Sequence, residues 1–230
     1  MEEKIKRKGL LLVATILLIV AIFVFSYFYF QIQKERKTQK VKETLERLTE
    51  AVNLMESVKE KMPKELLEVH EFIVQLNQEG NFKLYQIHPE LKGKLIMYHG
   101  VKNKGIFVDP SVNLRAEIWI PIFYHEAGHL YWHSKYPVET FEEFQKQLPV
   151  SEEHSYIVEA QAWNIVKEHF PSEEKFNQQE SKLFNIYEKE TLLYNKMIKG
   201  DAEAETEWKE IIEENIRVQE QQQKLLKKSF

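Results

Sequence analysis

The segment Ile120–His133 reads IPIFYHEAGHLYWH, and within it His125, Glu126 and His129 form the pattern His-Glu-x-x-His. The pattern has chemical meaning only on a helix. There, positions i and i+4 share one face about one turn apart. Two imidazoles so placed converge on a single Zn²⁺ at about 2.0–2.1 Å. Glu126, next to the first ligand, can then act on a metal-bound water, the arrangement used by zinc-dependent proteases. At average residue usage the pattern arises by chance on the order of once per hundred chains of this length, so its surroundings carry weight. Ile122, Phe123, Leu130, Tyr131 and Trp132 supply flanks that bury such a helix, and Pro121 marks its entry. Gly128 costs about 1 kcal/mol in a helix interior relative to Ala, and in return it lets another backbone come close.

A catalytic zinc takes three protein ligands and keeps one position open, so the fold must bring a third donor from elsewhere. Cysteine is absent from the 230 residues. Disulfides, thiolate zinc sites, iron–sulfur clusters and cysteine nucleophiles are thereby excluded, and the donor must be a His or a carboxylate. His133 stands at i+8 and drifts about 80° around the helix from His125. Glu159 is the better candidate. It lies in YIVEAQAWN, Tyr156–Asn164, which reads as a second helix whose Ala160 and Ala162 allow close helix–helix approach. Glu152, Glu153 and His154 are its rivals, placed near the expected start of that helix. Tyr156 stands one turn before Glu159 on roughly the same face. It is the candidate oxyanion donor beside the metal; the plain alternative is a packed tyrosine, and His154 is a weaker choice.

The HEAGH motif followed by an EAQAW helix resembles the gluzincin peptidases, in particular the minigluzincins and the ImmA/IrrE-like metallopeptidases. The resemblance covers roughly residues 82–170. It implies a motif helix and a glutamate-bearing helix that clasp zinc beside a small sheet. It implies His125 and His129 as ligands, Glu126 as general base and Glu159 as third ligand. Several gluzincins carry an Asp four residues after the metal-binding Glu, where it orients a ligand His. Here that position is Trp163, which leaves Asn164 or a backbone carbonyl as orienting partners. The third His of the metzincins is missing at its spacing.

The run Gly9–Phe30, GLLLVATILLIVAIFVFSYFYF, carries no charge. It is long enough to span about 30 Å of hydrocarbon as a helix, and it closes on aromatics suited to a lipid–water boundary. A cleavable signal peptide, the main rival, would be shorter and end in small residues. Lys4, Lys6, Arg7 and Lys8 precede the run, and Lys34, Arg36, Lys37, Lys40 and Lys42 follow it. The compact basic tail favours an anchor with the body outside the cytoplasm. Beyond it, Val41, Leu45, Leu48, Val52 and Met55 recur at spacings of four and three, a seam for self-association or for packing on the domain. Pro63 opens a helix that ends near Gly80. Short β-prone pieces follow at residues 82–88, 94–99 and 105–109, with a fourth at 115–120. Two helices close the chain, about 172–199 and 201–228, separated by Gly200 and Asp201.

The expected fold is therefore α+β and mostly helical. A small mixed sheet stands beside the zinc-site helix pair, with an N-terminal transmembrane helix and C-terminal helices. The expected segments are a basic tail 1–8, an anchor 9–30, a stalk 31–62, a metallopeptidase-like domain 63–171 and a helical region 172–230. A formal net charge of −4 argues against nucleic acid. The expected activity is peptide hydrolysis by a membrane-anchored zinc enzyme acting on a peptide or protein. The alternative is a non-catalytic, membrane-tethered interaction or sensor protein with a structural or degenerate zinc site.

Overall fold

A computed structural model of the chain describes residues 29–36, 38–79, 83–86, 97–100, 105–109, 112, 114–170 and 176–227. The chain divides into two compact units, Met1–Glu43 and Thr44–Phe230. In the first, residues 29–36 and 38–43 are helical. Among the described residues no helix is long and apolar enough to cross a membrane. That finding goes against the expectation of a single-pass membrane protein, and the extracytoplasmic placement of the body falls with it. The run on which the expectation stood lies outside the described residues except for Tyr29 and Phe30. The helical residues after it carry Lys34, Glu35, Arg36, Lys40, Lys42 and Glu43, charges that are expensive in hydrocarbon.

The second unit opens with helix α1, residues 44–56. Its Leu48, Ala51 and Met55 are buried in the main core, and Leu45 is exposed. Of the apolar seam, Leu48, Val52 and Met55 pack on the core of this unit, while Val41 and Leu45 are exposed. A short 3₁₀ turn at Lys59–Lys61 leads to α2, Lys64–Gln78, with Pro63 at its N-cap. Leu66, Val69, His70 and Ile73 line the buried face of α2, the spacing of an amphipathic helix.

Three four-residue strands follow: β1, Lys83–Gln86; β2, Met97–Gly100; and β3, Gly105–Val108. The sheet has the order β1-β3-β2, with β1 parallel and β2 antiparallel to the central strand. Ile106, fully buried, ties β3 into the core.

Helix α3, Ala116–Lys135, carries the motif. The extended piece expected at 115–120 is instead its first turn. Ile118, Trp119 and Ile120 are β-prone, yet all three are buried here, and tertiary burial overrides a weak local preference. Pro121 sits inside the helix and removes the N–H that would bond to the Glu117 carbonyl. Residues from Ala116 through Tyr131 are buried on nearly every side, and that packing holds the helix through the gap.

Helix α4, Phe141–His169, begins well before the expected start. The Thr140 hydroxyl accepts from the Glu143 N–H at 3.2 Å, and the Glu143 carboxylate accepts from the Thr140 N–H at 3.1 Å. This reciprocal capping box launches the helix, which then runs through the exposed Pro149. Helix α5, Gln178–Met197, starts with the same device at Asn177 and Glu180. Gly200 turns the chain with φ +87°, a left-handed value that suits glycine. The Asp201 carboxylate then accepts from Glu203 and Ala204 N–H groups at 3.1 Å to cap α6, Ala202–Lys227. Leu183 and Tyr187 of α5 enter the main core, while Tyr156, Leu193, Tyr194, Trp208 and Ile212 form a second cluster among α4, α5 and α6.

Helices α3 and α4 meet most closely at Gly128. A Cβ added there would stand 3.1 Å from Ser155 Oγ and 3.2 Å from Ser155 Cα. Because one neighbour is backbone, relief requires moving a helix. Gly128→Ala should gain up to about 1 kcal/mol of helix propensity and lose more to overpacking, about 1–3 kcal/mol. The expected net result is a lower urea midpoint at unchanged slope. A midpoint above that of the parent would show that the two helices are free to separate.

Candidate metal centre

Two imidazole nitrogens of α3 and the carboxylate of Glu152 on α4 converge. His125 Nε2 lies 3.3 Å from His129 Nε2. Glu152 Oε1 lies 3.2 Å from His129 Nε2, and its Oε2 lies 3.6 Å from His125 Nε2. Tetrahedral ligands at 2.0–2.1 Å from one ion stand about 3.3–3.4 Å apart. The three groups therefore have the spacing of three corners of a metal polyhedron, and they can hold a metal ion. Both His129 and Glu152 are fully buried at 0% exposure, so any ion there would be held in a dry pocket.

The other nitrogen of each ring is also engaged. His129 Nδ1 stands 2.6 Å from the Ser151 hydroxyl oxygen. His125 Nδ1 stands 2.7 Å from Glu159 Oε2, a close ion pair in which the carboxylate lies off the direct N–H line. Partners on Nδ1 hold each ring in the orientation that turns Nε2 toward the shared point, as around known metal-binding histidines.

Glu159, expected as the third ligand, thus stands behind His125, and Glu152 takes the place beside both Nε2 atoms. The two glutamates are seven residues apart, two turns on one helix face. Helical phase cannot choose between them; the offset of α4 along α3 does. The early start of α4 matters too, because it puts Glu152 in mid-helix. Glu153 is exposed. His154 stacks on Tyr131 with centroids 5.9 Å apart, and His133 packs at 5.4 Å from Phe144. Asn164 exchanges hydrogen bonds with Asn195 at 3.0 and 3.1 Å, and Trp163 donates to Glu188 at 2.8 Å. Neither orients a ligand histidine; Ser151 and Glu159 have that position. Tyr156 presents an edge-to-face contact to His125, centroids 4.7 Å apart at 82°. Glu126, next to His125 in the chain, is buried at 8% exposure, and its charge acts on the Tyr156 phenol.

Burial opposes a charge on His125, but Glu152 and Glu159 outweigh it and hold its pKa well above the ordinary imidazole value. Burial would raise Glu152, yet His129 and His125 pull it far below the usual carboxylate range. Without metal, the site is an ion pair of protonated histidine and carboxylate, and a metal entering it displaces protons. Glu190 of α5 was not legible as a site residue. Burial, and then the Glu159 charge, push its carboxyl up to about 9. Burial raises the Tyr156 phenol well above its ordinary value, and the carboxylates of Glu159, Glu190, Glu152 and Glu126 add to the effect. Comparison with known protein families, curated proteins and solved structures found no match to this chain.

Two outcomes follow from this geometry. Glu152→Ala should abolish binding of about one metal per chain, whereas Glu159→Ala should keep it with affinity reduced by about 10–100-fold. Metal retained in Glu152→Ala and lost in Glu159→Ala would reverse the assignment. The second outcome concerns pH. Glu190 keeps its proton when folded up to about 9, against 4.5 for the ordinary group. Its contribution to stability is complete below the lower value and is lost as pH rises toward the higher one; His125, also raised, acts in the same sense. At 1.36 kcal/mol per pKa unit, the metal-free protein should lose up to about 6 kcal/mol across that window. Glu190→Gln should flatten the loss in urea titrations at several pH values; an unchanged slope would remove Glu190 as its source.

Proposed function

We propose that this chain is a zinc-dependent peptidase of the gluzincin kind. One observation carries the proposal: His125 Nε2, His129 Nε2 and the Glu152 carboxylate converge at 3.2–3.6 Å, and Glu126, next to His125 in the chain, is buried. The donor set of two imidazoles and one carboxylate fits Zn²⁺ in its catalytic form, with one position left for water or substrate. Zinc bound there supplies Lewis acidity toward water and toward the scissile carbonyl.

The chain's own residues do the rest. Glu126 takes a proton from the attacking water and passes it to the departing amine. Ser151 and Glu159 hold the two ligand rings in the orientation that presents Nε2 to the ion. Tyr156 keeps its phenolic proton, because burial and the surrounding carboxylates disfavour the phenolate. It can therefore donate a hydrogen bond to the developing oxyanion.

A structural zinc in a non-catalytic interaction protein is the second reading. The complete burial of His129 and Glu152 favours it. A carboxylate at Glu126 has no use in such a site, and for that reason we prefer the enzyme.

The full chain, loaded with zinc, should cleave casein or a mixed peptide library. Glu126→Gln should retain the metal and lose at least about a hundredfold in rate. Equal metal content with equal cleavage in the parent and Glu126→Gln would remove Glu126 as the base. Zinc bound at one per chain with no cleavage of any peptide would favour the structural reading.

A further inference from the structure

Glu190 has no part in that scheme, yet its carboxyl is buried and acts on the Tyr156 phenol of the site. It projects from the inner face of α5 between Tyr187 and Tyr194, at 9% exposure. Its Oε2 is buried and meets no hydrogen-bond donor. A buried carboxyl in that condition carries a desolvation cost that nothing nearby offsets. The positive groups acting on it are His125 and Lys189. Lys189 is exposed, and His125 is engaged by Glu152 and Glu159 and becomes neutral as a metal ligand. Glu159 places a second negative charge beside Glu190.

Exposure is distributed unevenly around the centre. Ser151, Glu152, Ser155 and His129 are at 0%, whereas Tyr156, Glu159 and Glu190 keep 7%, 8% and 9%. His125 and Glu126 of α3 keep 7% and 8% as well, so the residual contact with solvent is shared by α3, α4 and α5, and Glu190 is among the groups that have it.

We propose that Glu190, with Glu159 beside it, forms a subsite for a cationic group of the substrate, either a free α-amine or a Lys or Arg side chain. The inference rests on the peptidase reading for the nature of its ligand. The proton that Glu190 holds up to about 9 occupies the place of the missing positive charge. When an ammonium or guanidinium group arrives, that proton leaves to solvent and the carboxylate pairs with the cation. The interior then keeps its charge balance, and a buried pair of this kind distinguishes charged from neutral substrates strongly.

The test uses the full chain, zinc-loaded and carrying Glu126→Gln, so that binding is read by calorimetry without turnover. Four hexapeptides share one sequence, with Lys or norleucine at a single internal position and a free or an acetylated N-terminus. The cationic peptides should bind about tenfold or more tightly than the acetylated norleucine peptide. A preference that follows the free terminus identifies the α-amine as the ligand; one that follows Lys identifies the side chain. Adding Glu190→Gln should collapse the ratio toward one while the metal content stays at that of the parent. Equal binding of all four peptides, or no binding of any, overturns the subsite without reference to Glu190 variants. A ratio that survives Glu190→Gln overturns the assignment to this residue. Failure of the peptidase reading is separate: it appears as absent cleavage in the Glu126 form, whatever the binding ratio.

Discussion

Helices α3 and α4 approach at Gly128 and Ser155 closely enough that a single methyl group would meet Ser155 at 3.1–3.2 Å. That contact governs the distances that matter for chemistry. His125 and His129 are carried by one helix and Glu152 by the other, so their separations of 3.2 and 3.6 Å are only as well defined as the helix crossing. A glycine in the middle of a helix costs about 1 kcal/mol against alanine. Here the cost is offset by a crossing tight enough to bring a carboxylate against two imidazoles. The near-complete burial of α3 holds the crossing from the other side, with α1, α2 and the sheet packed into the same core.

A second constraint is electrostatic. Four glutamates, Glu126, Glu152, Glu159 and Glu190, are buried within reach of Tyr156. Such a group of acids is tolerable only with compensation. Protonated His125 provides part of it in the metal-free protein, as the directions of the His125 and Glu152 shifts indicate. A divalent ion among His125, His129 and Glu152 would provide it differently, releasing the His125 proton. One acid, Glu190, stays uncompensated and keeps its own proton instead. On this view the metal stabilises the fold as well as supplying chemistry, because it neutralises charge that the interior otherwise holds at a cost.

Much of the helical framework was readable from local signals. Pro63 precedes α2, Gly200 and Asp201 separate α5 from α6, and the motif lies on a helix. Two local readings went astray for identifiable reasons. The β-prone Ile118, Trp119 and Ile120 suggested a strand, but they are wrapped on all sides and continue α3. The start of α4 was placed too late, although Thr140 and Glu143 carry a legible capping signal. The expectation of a membrane span, drawn from an uncharged run, finds no helix of that character among the described residues.

The chain's order of residues by itself determined that His125 and His129 share a helical face with Glu126 between them, because a four-residue spacing and a 3.6-residue turn leave no other arrangement. It also determined that the third donor is an oxygen or an imidazole, since no cysteine exists. Only the tertiary structure decided which glutamate stands beside the two Nε2 atoms. Glu152 and Glu159 are equivalent in phase, and the choice depends on how far α4 slides along α3, a quantity set by packing at Gly128 and Ser155. For the same reason Ser151 and Glu190 entered the site unannounced: they belong to it through contacts between elements far apart in the chain, and local periodicity carries no information about those.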